Sequence, residues 1–312
     1  MKALGITILF FFCSKIIFAQ PAVNINQQTS TAGKGNTYAV IVGISNYLDS
    51  SINLKFSNRD ATFFAEFLMS ASGGSVPKKN IKLLLDADAQ SQKVSEAIDW
   101  LLDNCEKDDN AFFYFSGHGA IENKSMFEDG SLICYNTSST AFTNMGLSMD
   151  RLNKMANTIS VTKNANVIII TDACHSGRMA ITKFNGNFLA GEQLMLAKER
   201  EIRIASCKPE ETSIEKTDWG GGRGVFSYHL TNALQGGLAD TDHNGIVTLS
   251  ELKAYLENAM ANDKVLKNDG EIQTPVIITH RKDDFPLSTV TASETLKIRQ
   301  MVSEDSVSIS LQ

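Results

Sequence analysis

Two residues that can do covalent chemistry each follow a run of apolar residues. Cys174 comes shortly after the apolar run 166–170, and His118 comes shortly after the run 111–115. A thiol attacks as its thiolate, which a neighbouring imidazole favours, so this pair of residue types is typical of nucleophilic catalysis. Apolar runs of this length indicate buried strands. If the two strands are neighbours in one sheet, their ends bring Cys174 and His118 together.

The residues around this pair suggest how the chemistry is divided. His118 is the expected general base rather than His175, because consecutive residues at a strand end point to opposite faces. Gly119 leaves its backbone amide open to close approach, and we expect this amide and that of Cys174 to bind the oxyanion of acyl transfer. The alternative is structural, since a cysteine after a strand is often a small buried apolar group and a lone histidine a satisfied polar one.

Alternating strands and helices are expected to position the pair. The apolar segments 38–44 and 81–85 predict strands, and the apolar stripes of 58–69 and 90–102 predict helices. This alternation implies right-handed crossovers and a parallel sheet, so the sequence predicts an α/β fold. The glycine-rich run 220–224 is expected to be a flexible hinge.

The composition is that of a packed globular chain. Of its 312 residues 43% are hydrophobic, enough for a sizeable core. The net charge of −6 becomes more negative once the lysines of an N-terminal leader are removed, which disfavours nucleic acid and anionic membranes as partners. The five cysteines are irregularly spaced, so disulfides are not expected to define the fold.

The N-terminus predicts export. A basic start followed by the apolar stretch 6–18 is typical of a secretory signal peptide cleaved near Ala19. A membrane anchor is the alternative, but the apolar run is short and is broken by Ser14 and Lys15. No later segment is long enough to span a bilayer, so we predict a periplasmic or secreted protein without a membrane span.

Two separated motifs resemble those of a known family. Ser-Gly-His-Gly at 116–119 and Asp-Ala-Cys-His-Ser-Gly at 172–177 are similar to the motifs of metacaspases and bacterial caspase-like cysteine peptidases. The segments 204–215 and 224–230 look like their small-subunit half, so the resemblance covers about 38–278. It implies a caspase-like three-layer sandwich, with helices on both faces of a mostly parallel sheet. It also implies a cysteine endopeptidase with a Cys–His dyad and no obligatory third member.

The resemblance also divides the chain. We expect a signal peptide at 1–19, a flexible lead-in at 20–36, a caspase-like peptidase domain at 37–280 and a polar tail at 281–312. The domain is expected to consist of a large-subunit-like part at 37–177, a loop at 178–200 and a small-subunit-like part at 201–280. Basic residues in 178–203 make this loop a candidate for self-processing, and the alternative is a solvated loop that is never cut.

Acidic residues near the motifs predict which side chain precedes the cut bond, the P1 side chain. Asp172 lies two positions before Cys174 on the same face of the strand, where a carboxylate favours Arg or Lys at P1. By resemblance to metacaspases, Asp60 at the start of the first helix and Ser116 complete this pocket. Asp60 is also explained as an acid that the helix dipole favours. Arg59 beside it could neutralise the pocket.

A second group of oxygen-bearing residues matches a calcium-binding loop. The segment 240–251 fits the EF-hand template, with glycine at the sixth position and glutamate at the twelfth. Because Gln-Gly-Gly at 235–237 interrupts the helix leading in, we expect a calcium-type loop rather than a paired EF-hand. The alternative is an Asp-rich turn that holds no ion. The predicted ligands are Asp240, Asp242, Asn244, Glu251 and the carbonyl of Ile246.

These observations predict a caspase-like cysteine endopeptidase that cuts proteins or peptides after Arg or Lys. The chemistry requires no cofactor, and Ca²⁺ is the ion that the sequence suggests. Glu128, Asp129 and Asp150 do not clearly reproduce the separate acidic site through which metacaspases are commonly activated, so calcium activation is not predicted. The alternative function is a catalytically silent caspase-like module that binds calcium or docks partners.

Overall fold

The computed structural model describes residues 35–121, 130–138, 146–173, 199–208, 210–291, 293, 295–298 and 300–303. The predicted signal peptide, almost all of the lead-in, Cys174 and nearly all of the loop 178–200 lie outside these residues. Within them, no helix is long and apolar enough to cross a membrane.

Apolar and β-branched runs form the strands, which suit half-buried or fully buried pleated surfaces. In chain order they are β1 (Thr37–Gly43), β2 (Ile81–Leu85), β3 (Asn110–Ser116), β4 (Gly119–Ile121), β5 (Gly130–Leu132), β6 (Leu147–Ser148), β7 (Asn166–Asp172), β8 (Glu201–Ala205), β9 (Glu215–Lys216), β10 (Arg223–Gly224), β11 (Ile246–Thr248), β12 (Val276–Thr279) and β13 (Pro286–Thr289).

Six of these strands form the central sheet, in the order β12-β8-β7-β3-β1-β2. Neighbouring strands are parallel throughout except for β12, which runs antiparallel to β8. Every residue of β3 and β7 is buried, as expected for central strands that are covered on both faces. The predicted mostly parallel α/β sheet is confirmed.

Helices cover both faces of this sheet. Alternate residues of each strand point to opposite faces, and two separate apolar clusters result. The helices are α1 (Ser57–Met69), α2 (Ser91–Asn104), α3 (Met149–Asn157), α4 (Val225–Gly236), α5 (Leu249–Ala261) and α6 (Lys264–Asp269). Residues of α1, α4, α5 and α6 belong to one cluster, and residues of α2 and α3 belong to the other.

Aromatic packing fixes α1 on the sheet. Phe64 of α1 is fully buried and its ring stacks on that of Tyr114 in β3, with centroids 4.6 Å apart. Burying one such side chain stabilises a fold by about 1.5–3 kcal/mol. The first turn of α1, which carries Asp60, is therefore held over the carboxyl ends of the strands.

The register of the sheet brings the predicted site residues together. Ser116 at the end of β3 is paired with Gly43 of β1 on one side and with Asp172 of β7 on the other. The strands preceding His118 and Cys174 are therefore direct neighbours, as the sequence predicts.

The segment after residue 280 differs from the expected polar tail. It contains β13, which pairs with β11, and Phe285 is buried in the core cluster of α4 and α5. The sequence did not predict this packing because the segment is mostly polar, and one buried aromatic residue with one short strand gives little periodic pattern.

Candidate active site

His118 lies just beyond β3, in the turn that leads into β4, and is half-buried. Its Nε2 atom is 2.7 Å from the backbone carbonyl oxygen of Ile52. A carbonyl oxygen only accepts hydrogen bonds, so Nε2 carries a proton in this contact. In neutral imidazole the other nitrogen, Nδ1, is then the one that can accept a proton.

Tyr47 holds the same residue from a second direction. Its hydroxyl oxygen accepts the backbone N–H of His118 at 2.8 Å, and the two rings are 5.3 Å apart. The backbone N–H of Tyr47 in turn donates to Asn53 Oδ1 at 2.8 Å. Neither Tyr47 nor the Ile52 carbonyl could be predicted from the sequence, because Tyr47 lies in a loop and Ile52 ends a short 3-10 helix, both remote in the chain from His118.

Gly119, the predicted oxyanion donor, begins β4 and pairs with Leu132 of β5. The predicted nucleophile Cys174 lies outside the described residues, and Ala173 is the last residue before it that the structure describes. Ala173 is fully buried, and its carbonyl accepts the thiol of Cys207 at 3.6 Å.

Asp60 and Asp172 both lie at the carboxyl edge of the sheet and both are buried, at 1% and 5% exposure. Burial of its charge raises the pKa of Asp60 to about 7; the nearby Arg223 opposes this rise and the charge of Asp172 adds to it. Burial also raises the pKa of Asp172, against hydrogen bonds from the hydroxyls of Ser213 and Ser227.

Gly224 separates the two carboxylates. Its N–H donates to Asp60 Oδ2 at 2.9 Å, at the N-terminus of α4, where the helix dipole favours negative charge. A Cβ atom at this position would lie 2.9 Å from Asp172 Oδ2 and 3.1 Å from Asp60 Oδ2. Only glycine therefore fits between the carboxylates without displacing one of them.

Arg223 is the basic residue that neutralises Asp60. Its Nε–H donates to Asp60 Oδ1 within a buried ion pair, and Arg223 is 3% exposed. Arg59, the residue expected to have this role, instead donates to the backbone carbonyls of Gly220 and Gly221. The expectation for Arg59 is therefore wrong, because the side chain of a helix residue points away from that of its immediate neighbour.

The run 220–224 also differs from the expected flexible hinge. Arg223 and Gly224 form β10, which pairs with β9, and both residues are buried. A single charged residue inside a glycine run, directly before a buried helix, was the signal that could have indicated a buried ion pair.

The segment downstream of β8 completes the site. The Glu215 carboxylate in β9 accepts the backbone N–H groups of Lys55 and Phe56 at 2.7 and 2.9 Å, which ties this segment to the start of α1. Ser213 donates to Asp172 Oδ1, and Ser227 donates to Asp172 Oδ2 at 2.5 Å. Both halves of the chain therefore contribute to the environment of the two aspartates.

A small cavity of about 30 Å³ connects these groups. His118 and the buried Asp60 and Asp172 line this same cavity, so a base and two carboxyl groups face one space. Its lining residues are Leu54, Ser57, Asp60, Ser116, Gly117, His118, Asp172, Ser213, Ile214, Glu215 and Gly224.

The predicted calcium-type loop lies apart from this cavity. Carboxylate oxygens of Asp240, Asp242 and Glu251 lie within 4.8 Å of one another, an all-oxygen donor set that suits Ca²⁺. Asn244 donates its backbone N–H to Asp242 Oδ1 at 3.0 Å, and Ile246 begins β11. These residues fit the ion.

Helices flank this loop on both sides. The helix leading in, α4, runs to Gly236 and ends where Gly237 adopts the left-handed conformation, φ 61°. The helix leading out, α5, has a capping box formed by Thr248 and Glu251. The loop strand β11 pairs with β13 rather than with a second calcium-type loop.

Comparison with known proteins identifies the family. The family model of the peptidase C14 caspase domain matches residues 36–286. The chain therefore belongs to the caspase-domain peptidase family, as the two motifs predicted.

Individual proteins match this chain either over a short segment or at low sequence identity. A probable protease from a Desulfuromonadales bacterium is 32% identical over 126 residues, which is 36% of this chain and only 15% of that protein. Caspase-1 from Spodoptera frugiperda has a similar fold, with a TM-score of 0.57 and 14% identity over 83% of this chain and 92% of that one. A structural-genomics target from Geobacter sulfurreducens gives a TM-score of 0.56 and 17% identity over 82% of this chain and 100% of that one.

Proposed function

We propose that this protein is a cysteine endopeptidase that hydrolyses peptide bonds after Arg or Lys. The observation that supports it best is the cavity that joins His118 to the buried carboxylates of Asp60 and Asp172. Membership of the caspase-domain family makes peptide hydrolysis the first reaction to consider.

In this proposal Cys174 is the nucleophile and His118 is the general base. The Nδ1 atom of His118 takes the thiol proton as sulfur bonds to the P1 carbonyl carbon, and the backbone amides of Gly119 and Cys174 stabilise the oxyanion. His118 then gives the proton to the leaving amine, which breaks the peptide bond and leaves a thioester. Water hydrolyses the thioester, with His118 acting as base again.

The Ile52 carbonyl has a defined part in this cycle. By accepting a hydrogen bond from Nε2–H, it selects the neutral tautomer in which Nδ1 is the acceptor and stabilises the imidazolium that forms during attack. A backbone carbonyl thus orients the base where a third side chain would otherwise be needed.

The P1 preference follows from charge. Asp172, Asp60 and Ser116 all line the cavity, and buried carboxylates attract a cationic side chain through charge-assisted hydrogen bonds. A P1 aspartate would add another negative charge to a cavity that acidic side chains already line. We therefore expect cleavage after Arg or Lys and not after Asp.

A panel of fluorogenic peptides with Arg, Lys, Asp or Leu at P1 tests this proposal. The full chain is expected to turn over the first two only, and Cys174→Ala is expected to remove all turnover while the thermal unfolding midpoint stays unchanged. Turnover of the P1-Asp peptide alone would refute the P1 assignment. No turnover of any peptide, with or without Ca²⁺, would favour the alternative, a catalytically silent caspase-like module.

We also propose that the loop 240–251 binds Ca²⁺ as a structural ion. When bound, the ion would neutralise the acids that converge there, with Asp240, Asp242, Asn244, Glu251 and the Ile246 carbonyl as ligands. Isothermal titration with CaCl₂ and unfolding with EDTA test this. A saturating ion should raise the free energy of unfolding by about 2.7 kcal/mol at 100 times its dissociation constant.

Two further parts of the proposal concern processing. Export through the leader 1–19 would place the protein in the periplasm or outside the cell, and N-terminal sequencing of the secreted form tests this.

Self-cleavage in the basic loop 178–203 would appear as two fragments that Cys174→Ala does not form. A single intact chain in both proteins would refute self-cleavage.

A further inference from the structure

Three buried charged groups lie at the cavity: Asp60 and Asp172 line it, and Arg223 bonds to Asp60 without being part of the lining. The carboxylates of Asp60 and Asp172 and the guanidinium of Arg223 are all at least 95% buried. With all three ionised, the net charge is that of one carboxylate. Among the other charged or titratable groups nearby, Glu215 and His118 line the cavity and Arg59 binds backbone carbonyls outside it.

Arg223 is fixed in place. Besides its contact with Asp60, its Nη2 atom donates to the carbonyl of Ser227 at 3.1 Å and to Thr231 Oγ1 at 3.2 Å. The guanidinium also lies over the ring of Phe63, 4.1 Å from its centroid. These contacts hold the guanidinium against Asp60, and the side chain is almost inaccessible to solvent.

The two carboxylates differ in the kind of partner they have. Asp60 is bound by a permanent cation, whereas the partners of Asp172 that the structure describes are neutral hydroxyls, among them Ser213 and Ser227. Neutral donors leave the negative charge of Asp172 uncompensated, so Asp172 retains its attraction for an incoming cation.

We propose that Arg223 is a specificity-determining residue, an internal counterion that cancels Asp60 so that the P1 pocket accepts one positive charge through Asp172. This inference rests on the proposed function and changes the part that Asp60 has in it. Asp60 neutralises Arg223 rather than bonding to the P1 side chain.

The proposal predicts a charge-dependent rescue. Asp60→Asn removes the anionic partner of Arg223, so the net charge of these three groups becomes zero and the uncompensated guanidinium opposes a cationic P1 side chain. Removing Arg223 as well restores the net charge of −1 from Asp172 alone. If Asp60 instead bonded directly to P1, the double variant would remain as weak as Asp60→Asn.

Steady-state kinetics on P1-Arg and P1-Lys peptides test this in the full chain. We expect Asp60→Asn to raise KM about 10- to 100-fold, the effect of one hydrogen bond to a charged group. The double variant Asp60→Asn/Arg223→Met should return KM to within about threefold of the unmodified chain, since the same charge is restored. A double variant whose KM equals that of Asp60→Asn would overturn the proposal.

Arg59→Met is the matched control. Arg59 also lies near the Phe63 ring, 5.5 Å from its centroid, but it bonds to the carbonyls of Gly220 and Gly221. Combined with Asp60→Asn it removes one positive charge from the same region and should not restore KM. A similar rescue by Arg59→Met would show that general surface charge, and not the buried pair, sets the preference.

A binding measurement separates this inference from the proposed function. Agmatine carries the guanidinium of a P1 arginine, and calorimetry gives its dissociation constant without turnover. One possible result is that no peptide is cleaved, but the affinity for agmatine falls in Asp60→Asn and recovers in the double variant. This result would support Arg223 as the counterion of Asp60 and would refute the peptidase proposal. If the unmodified chain neither binds agmatine nor cleaves basic peptides, both are overturned.

Should Arg223→Met not fold, Arg223→Gln keeps an amide donor for the Ser227 carbonyl and still removes the charge.

Discussion

The cavity beside His118 and the loop 240–251 are both lined by acidic residues, yet their carboxylates are stabilised in different ways. In the loop, neighbouring backbone amides stabilise them: Glu251 accepts the N–H groups of Thr241 and Thr248, whose hydrogen bonds outweigh burial and lower its pKa. In the cavity, partners from distant segments surround Asp60 and Asp172, and burial raises both pKa values. The loop carboxylate is therefore stabilised by residues close to it in the sequence. The cavity carboxylates gain their partners only when distant segments of the chain have packed together.

The largest effect should come from the uncompensated carboxylate of the cavity. Asp172→Asn keeps the shape of the side chain but removes the charge that faces P1. We expect kcat/KM for P1-Arg and P1-Lys peptides to fall about 100-fold, as for the loss of a charge-assisted hydrogen bond. The exposed Asp88, which pairs with Lys93, provides the control Asp88→Asn, which should leave kinetics unchanged. An unchanged kcat/KM in Asp172→Asn would remove the distinction between the two clusters.

The next largest effect concerns His118, whose position also depends on a residue remote in the chain, Tyr47. Tyr47→Phe removes the acceptor of the His118 backbone N–H and should lower kcat about tenfold by displacing the imidazole, with KM unchanged. Tyr38→Phe is the matched control, because the Tyr38 ring packs on Trp100 away from the cavity. A change in KM rather than kcat would assign Tyr47 to substrate binding.

The raised pKa of Asp60 gives a smaller, pH-dependent effect. As the pH rises through about 7, Asp60 loses its proton and the net charge of Asp60, Asp172 and Arg223 changes from zero to −1. A pH range around 7 covers only part of this titration, so KM for a P1-Arg peptide should fall about three- to tenfold, less than the full effect of losing the Asp60 charge in Asp60→Asn. The double variant Asp60→Asn/Arg223→Met lacks this titration, and its KM should stay flat. A KM profile shared by both proteins would assign the titration to a group other than Asp60.

The smallest effect concerns the local cluster. Thr248→Ala removes the capping hydroxyl at the N-terminus of α5 and should lower the free energy of unfolding by about 1 kcal/mol. Calcium affinity should change little, because Thr248 is not among the proposed ligands. Glu251→Gln, by contrast, should lower both stability and calcium affinity. Equal calcium affinities in the two variants would argue against Glu251 as a ligand.

Much of the candidate site was predictable because its residues follow strongly apolar strands. Asp172, Ser116 and His118 lie at the ends of β7 and β3, and a run of buried residues predicts where a parallel strand ends. Arg223, Tyr47 and the Ile52 carbonyl were missed for the opposite reason. They lie in short or irregular segments, where no periodic pattern relates a side chain to a distant partner.

The sequence by itself determined the α/β fold, the family and the grouping of Asp240, Asp242 and Glu251, because these depend on periodicity, on motifs and on spacing within a few residues. Only the tertiary structure decided which charges meet at the cavity beside His118. Arg59 adjoins Asp60 in the chain but lies on another face of the helix, whereas Arg223 comes from a distant strand and forms the buried ion pair. Burial then sets the strength of that pair, since desolvation depends on every segment packed around it.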